Sequence, residues 1–232
     1  MASYGLIIRN KNRQIIIDEN YRNQAIRYTG FQSQTGSELG YYFADFSIAC
    51  SASAVIGYKT SGWVALQRQS HSGNIRTIRL ISRSPFTVQW FCFDTPTLSS
   101  KYSINYGLRI KNRVTGDLVF DSRARYLRVK LLFDAKADNQ ITSRVVQGVT
   151  DICVVPTQAF IGHQEEVFGA TGPNHYVAWE LAPFFNTPGG GTVRTQVQVY
   201  YTLDGDTGGS YLVTNFSSGG STFLVSDISN YF

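Results

Sequence analysis

The stretch Tyr106–Asp121, YGLRIKNRVTGDLVFD, repeats a phrase that opens the chain at Tyr4–Asp18, YGLIIRNKNRQIIID. Tyr4-Gly5-Leu6 matches Tyr106-Gly107-Leu108, Ile8 matches Ile110, Asn10 matches Asn112, and Asp18 matches Asp121. In each copy two short runs rich in β-branched residues flank a polar stretch: LIIRN and QIIID around Lys11-Asn12, LRIKN and LVFD around RVTG. That is the pattern of a β-hairpin. The second copy is longer by one residue, and the extra residue falls in the turn, where Gly116 can take a positive φ. A phrase made of strand and turn residues, with no nucleophile beside a base, is architecture. It predicts an all-β protein: antiparallel β-sandwich or sandwiches with hairpin repeats and few or no helices.

Composition agrees. The hydrophobic fraction is 43% and the charged fraction only 16%, against about a quarter charged in an average domain. Aromatics reach 14%, with 14 Tyr and 15 Phe, and such residues suit a pleated, half-buried surface. The net charge of +5 is not gathered into one run: Arg76, Arg79 and Arg83, then Arg123, Arg125, Arg128 and Lys130, alternate with other residues as on the solvent face of strands. This spread gives no dedicated nucleic-acid surface. Cys50, Cys92 and Cys153 are odd in number, without CxxC spacing, and sit among apolar neighbours, so buried free thiols are expected rather than a disulfide framework. No charged n-region with a long apolar h-region opens the chain, and no apolar run is long enough for a membrane span.

Outward from the two phrases, strand-like runs continue between turn signals: YYFADFSIAC, AVIGYKT, GWVALQRQS, IRTIRLIS and FTVQWFCFD, the last reading as an interior strand. Beyond the second phrase come ARYLRVKLLFD, RVVQGVTDICVVP, NHYVAWELAPFF, TQVQVYYTL and STFLVSDI. TQVQVYYTL alternates strictly and predicts a hairpin with SYLVTNF across DGDTGG, while TPGGGT reads as a flexible loop. AKADNQITSRVV is the least strand-like stretch and could hold a short helical turn. The expected division is residues 1–130 as a β-sandwich domain carrying the hairpins 4–18 and 106–121, with 131–232 as a β-rich C-terminal extension or second small β domain.

Few residues suggest chemistry. His163, Glu165, Glu166 and His175 lie in GHQEEVFGATGPNHY, but HExxH spacing is absent, so a polar loop is the expected identity and no metal is assigned. Asp204 and Asp206 in DGDTGG lack the remaining ligands of a calcium loop. There is no GxSxG elbow, P-loop or dinucleotide fingerprint. No catalytic residue and no cofactor is predicted. The candidate glycan or partner contacts are Trp63, Trp179, Tyr176 and His175, because exposed aromatic rings serve as flat platforms.

The segment Phe93–Val129, FDTPTLSSKYSINYGLRIKNRVTGDLVFDSRARYLRV, resembles a recurring phrase of small tail-associated structural proteins of tailed bacteriophages. The matching residues are Tyr106, Gly107, Leu108, Asn112, Gly116, Phe120, Asp121, Ser122, Tyr126, Leu127 and Val129, and the N-terminal copy opens the same proteins. The resemblance spans about residues 1–130, and 131–232 extends beyond the short family pattern. It implies a virion structural protein of the tail tip or baseplate region, not an enzyme, made in the host cytoplasm. The implied partners are other virion tail proteins and further copies of the chain, with a host-surface glycan as a further contact and no membrane insertion. A carbohydrate-binding module at the tail tip and a capsid decoration protein are the alternatives.

Overall fold

The computed structural model describes residues 7–9, 15–18, 23–38, 40–99, 106–135, 140–157, 162–168, 174–207 and 222–229. All regular structure among them is strand. The first hairpin is β1 (Ile7–Arg9) and β2 (Ile15–Asp18). There follow β3 (Ala25–Ser33), β4 (Gly36–Glu38), β5 (Tyr41–Ala49), β6 (Val55–Lys59), β7 (Ala65–Ser72), β8 (Ile75–Ser82) and β9 (Thr87–Asp94). The second hairpin is β10 (Arg109–Lys111) and β11 (Leu118–Asp121). The chain continues through β12 (Val129–Asp134), β13 (Thr142–Val145), β14 (Ile152–Pro156), β15 (Gly162–Phe168), β16 (Asn174–Gly189), β17 (Thr192–Thr207) and β18 (Thr222–Asp227).

One layer is an antiparallel sheet in the order β12-β18-β14-β6-β9-β3. The other consists of two four-stranded sheets, β4-β5-β8-β7 and β13-β17-β16-β15. These meet edge to edge where Val64 and Phe185 exchange backbone hydrogen bonds of 3.0 and 2.8 Å. The core lies between the layers. Ile56, Tyr58, Val88, Val154, Phe223 and Val225 face Ile48, Ile78, Leu80, Phe185, Val193 and Val197 in one buried cluster. Alternation along each strand sends every second side chain there. β9 is buried on both faces, with Val88 and Cys92 in the central core and Phe91 and Phe93 in a second cluster. The interior strand expected at FTVQWFCF is therefore present.

The topology contains a repeat that the eye does not find in the letters. In β3, β5, β6, β7, β8 and β9, the first, sixth and third strands form half of the large sheet, and the second, fifth and fourth form half of the other layer. β12, β13, β14, β16, β17 and β18 reproduce both orders. The units join third strand to third strand, Tyr58 opposite Val154, and at the fourth strands through Val64 and Phe185. Both joints are antiparallel, so the units are related by a pseudo-two-fold axis.

Detail supports duplication over coincidence. The first strand of each unit carries a β-bulge against the sixth at the same rung, between Ile26 and Tyr28 against β9 and between Val129 and Leu131 against β18. The bulged residue is a cation in both, Arg27 and Lys130, and each pairs with the carboxylate that ends the sixth strand, Asp94 or Asp227. A β-bulge re-aims one side chain, and here it turns a cation onto a carboxylate twice. The hairpins match as well: Ile8 pairs Ile17 and Ile110 pairs Phe120, with a register shift after Ile8 and after Ile110. The last paired residues are Arg9 with Ile15 and Lys111 with Leu118, so the single-residue difference lies between the paired strands as expected, and residues 10–14 lie outside the described residues.

Each hairpin thus precedes one unit. The entry to β12 lies near residue 130; the six-stranded sheet contains strands from both sides of it, and the two four-stranded sheets, one from each side, meet at Val64 and Phe185. Three local expectations need correction. TPGGGT is the turn of the longest hairpin, β16–β17, with Gly189 opposite Thr192. Asp204 and Asp206, expected in a turn, sit within β17, opposite Val177 and His175, and the pairing expected with SYLVTNF lies outside the described residues. GHQEEVF is β15, not a loop. The short helical turn considered at AKADNQITSRVV falls partly outside the described residues, and its remainder leads into β13.

Candidate contact surface

The YGL…FDS phrase can be built atom by atom in its second copy. Ser122 and Leu108 clasp each other: Leu108 N donates to Ser122 Oγ at 2.9 Å and Ser122 N to Leu108 O at 2.9 Å. A Cβ on Gly107 would meet Ser122 Oγ at 2.8 Å and Arg123 Cγ at 3.0 Å, so this position must be glycine for the clasp to close. Asn112 organises the turn, its Oδ1 accepting from Val114 N and Thr115 N, and Gly116 takes φ 73°. Asp121 is fully buried; its carboxylate accepts from Arg123 Nε and Nη2 at 2.9 and 2.7 Å and forms an ion pair with Arg109, whose Nε stands 3.3 Å away. The Tyr126 hydroxyl accepts from Asp121 N at 2.6 Å and donates to Asp121 O at 3.1 Å, while its ring stacks on Phe120 at 5.0 Å. Burial pushes this phenol up to about 12, so it stays protonated and can both donate and accept.

From Tyr126 the chain straps the two units together. Ile26 N donates to Arg125 O, Leu127 N to Gln24 O, and Asp227 N to Arg128 O. Leu127 lies against the outer cluster of Ile26, Phe91, Phe93, Cys153 and Ile228. The strap therefore covers apolar surface on the outer face of the large sheet where the units join.

On the outer face of the other layer, Trp63 is half-buried beside the joint. It packs with Tyr41 and Phe43 on Ala65, Ile81, Ala182 and Phe184. Arg79 lies 4.6 Å from the Phe43 ring centroid and Arg83 lies 5.9 Å from that of Tyr41. Trp63 is thus part structure and part surface. Tyr41 and Phe43 were not singled out by sequence reading, because each sits in an ordinary alternating strand.

His175, Tyr176 and Trp179 lie on the distal half of β16, opposite Asp206, Gly205 and Thr202 of β17 and Phe168, Val167 and Gln164 of β15. The structure does not bring them to Trp63. Trp63 adjoins Val64, whose partner Phe185 is six residues beyond Trp179 on β16, roughly 20 Å along an extended strand. The same register separates His163, opposite Glu180, from His175, opposite Phe168. Five rungs of antiparallel strand, roughly 17 Å, are too far apart for both rings to hold one metal ion. Among the described residues no group of three or more His, Cys, Asp or Glu could hold a metal.

Cys50, Cys92 and Cys153 are buried and free. Burial pushes all three thiols up, Cys92 to about 12, so they are packing residues with little thiolate at neutral pH. No family model, curated protein or solved structure matches this chain.

Proposed function

We propose that the chain is a virion structural protein of the tail tip or baseplate region of a tailed bacteriophage, assembling with other tail proteins and with further copies of itself. The observation that carries this reading is the YGL…N…G…FDS…R-YL-V phrase, which resembles that of small tail-associated proteins and introduces the second of two six-strand units. Support also comes from composition. A low charge fraction and abundant aromatics suit a subunit that buries broad surfaces against neighbours. Exposed apolar side chains at strands bordering the sheets, Phe31 on β3, Leu132 on β12 and Val145 on β13, offer joints of that kind.

Electron microscopy of whole particles carrying a labelled chain tests the reading. Density at the tail tip is the expected result, density on the head would favour a capsid decoration protein, and absence from purified virions would remove the structural role. The aromatic surface of Tyr41, Phe43 and Trp63 favours a second reading, a carbohydrate-binding module. A glycan array probed with the wild type, Trp63→Ala and Trp179→Ala separates the two. Binding lost in Trp63→Ala would establish the module, and no binding by any form would leave assembly alone.

A further inference from the structure

The repeat allows the cores of the two units to be compared place by place. Just after the second strand of the first unit stands Cys50, whose N donates to Asn74 O at 2.8 Å; in the second unit that place is Val146, whose N donates to Gly191 O at 3.0 Å. On the sixth strands, Cys92 stands opposite Tyr28, just past the bulge of β3, and Val225 stands opposite Leu131, just past the bulge of β12. Cys50 is therefore equivalent to Val146 and Cys92 to Val225, and all four are buried in the inner cluster. Two valines fill these places in one unit, so packing does not call for sulfur at either. The other unit has it at both.

The first unit also holds its two sulfurs together. Ser51 N and Ser51 Oγ donate to the Asp94 carboxylate at 3.0 and 2.5 Å, which pins the chain beside Cys50 to the end of β9. Cys92 shares a face with Asp94, because alternate residues of a strand point the same way. The Cys50 thiol lies within side-chain hydrogen-bonding reach of the Cys92 thiol. Beside them is the buried Arg76 guanidinium, whose Nη2 donates to Ala52 O at 3.0 Å. Burial raises both thiols; at Cys50 the Arg76 charge is the largest influence against it, whereas at Cys92 the neighbouring Cys50 and Asp94 add to it. Cys50 is thus the readier of the two to ionise. It also lies beneath a surface turn, Ser51–Ala54, in which Ala52 and Ser53 are exposed. Cys153 is apart from the pair, in the outer cluster on the other face of the large sheet.

We infer that Cys50 and Cys92 are an oxidation site, at which a peroxide converts the pair into one disulfide tying together the two layers of the first unit while Cys153 stays a thiol. The Cys50 thiolate attacks one oxygen of the peroxide, the O–O bond breaks, and a sulfenic acid forms as hydroxide leaves. The Cys92 thiol then displaces the sulfenic hydroxyl as water, and the S–S bond closes. The proton that Cys50 gave up meets the hydroxide. Two thiols and one hydrogen peroxide thus give one disulfide and two waters: the sulfurs lose two electrons and the peroxide oxygens gain them. The closed loop runs from the end of β5 to β9, so the bond restricts the unfolded chain and stabilises the folded one. This inference goes beyond the virion reading and does not rest on it.

The test treats the full chain, reduced and then freed of reductant, with a small molar excess of hydrogen peroxide, alkylates the remaining thiols and weighs the peptides. One linked pair through Cys50 and Cys92, with Cys153 alkylated, is the expected result. A link through Cys153, a link between two chains, sulfinic acid at Cys50 beside a free Cys92, or recovery of all three thiols would overturn the inference. In parallel, the urea midpoint of the oxidised wild type should stand about 1 M above that of the reduced protein and return on reduction. The double variant Cys50→Val, Cys92→Val carries the second unit's own residues at these places and should show one midpoint under both conditions. The same oxidant-dependent shift in that variant would place the effect elsewhere and overturn the inference. In Arg76→Gln, disulfide formation should reach the wild-type rate only at higher pH, and an unshifted pH profile would overturn the assignment of Cys50 as the first thiol to react.

Discussion

The two units share a plan and differ in how tightly it is executed. In the first, the fourth and fifth strands, β7 and β8, are 8 residues each and stop at the edge of the sandwich. In the second, β16 and β17 are 16 residues each, and their distal halves continue past the joint to form, with β15 paired on β16, an arm of three strands among the described residues. The proximal halves do what β7 and β8 do: Ala182 occupies the outer cluster beside Ala65, and Val197 the inner one beside Leu80. The arm is therefore an elaboration that the common fold does not require. His175, Tyr176 and Trp179 are all on this arm, which the second unit has and the first lacks.

The largest expected difference between the units lies at the turns that close these strand pairs. Gly73 and Gly191 both take positive φ, 59° and 67°. A Cβ on Gly73 would meet nothing, whereas one on Gly191 would stand 2.2 Å from Val149 O and 3.0 Å from Val146 O. Gly73→Ala should cost only the left-handed backbone penalty, about 1 kcal/mol. Gly191→Ala adds a clash with backbone that cannot rotate away, and should cost about 4 kcal/mol. Urea midpoints of the two variants check this. Equal losses would mean that the segment around Val146–Val149 yields, and that the second turn is no more tightly held than the first.

Next in size is the carboxylate that ends each sixth strand. Asp94 is fully buried and accepts from Arg27 Nη1, Ser51 N, Ser51 Oγ and Thr95 N. Asp227 accepts from Ser229 N, and its cations Arg128 and Lys130 stand at 3.5 and 3.8 Å, partly in water. Asp94→Ala strands buried partners and should cost about 3 kcal/mol. Asp227→Ala should cost less, about 1 kcal/mol, since it accepts fewer hydrogen bonds than Asp94 and Lys130 can turn to solvent. Burial raises both carboxyls, but at Asp94 the hydrogen bonds from Ser51, Thr95 and Arg27 outweigh it, and at Asp227 those from Ser229 with the charges of Arg128 and Lys130 do so. Both therefore sit below the ordinary carboxylate value in the folded state. Their stabilisation is fully present above the unfolded value and is lost as pH falls through the folded one, so acid should weaken the wild type below about pH 4. Asp94→Asn should flatten that acid limb more than Asp227→Asn. An unchanged limb in both would exclude these groups as its cause.

How much of this was legible in the letters follows from what each feature is made of. The hairpins showed because their phrase depends on particular side chains: a glycine under Ser122, an asparagine capping the turn, an aspartate between two arginines. The duplicated bodies did not, because an alternating strand accepts any apolar residue on its inner face. Ile78 and Thr195 hold comparable rungs without sharing a letter. The β16–β17 pairing is hard to read because TPGGGT looks like a flexible loop rather than a turn, and because Pro183 is a residue that does not suit an interior strand. It is tolerated where it stands, opposite Val197 on one side and next to the joint with the first unit on the other, where the bridge forms at Phe185 instead. Trp63 was visible as a candidate, but Tyr41 and Phe43 beside it were not, since only the pairing of β5 with β8 and the joint at Val64 bring the three together.

The smallest expected effect has the opposite sign, and it tests the axis itself. Tyr58 and Val154 face each other across the joint between the units, both fully buried. On the second unit's side the position is wholly apolar. On the first unit's side the Tyr58 ring packs 6.3 Å from Phe185 while its buried hydroxyl has no hydrogen-bond partner among the described residues. Burial drives this phenol far above its ordinary value, so it stays neutral at every accessible pH and contributes no charge. A buried hydroxyl without a partner carries its desolvation cost uncompensated. Tyr58→Phe keeps the ring and removes that cost, and should raise stability by about 1 kcal/mol, read as a higher urea midpoint at unchanged slope. A loss of similar size would mean that the hydroxyl is satisfied in solution and that the joint is polar on one side. A gain would show the two third strands meeting as one continuous apolar seam, which is what two copies of a single unit joined about a two-fold axis require.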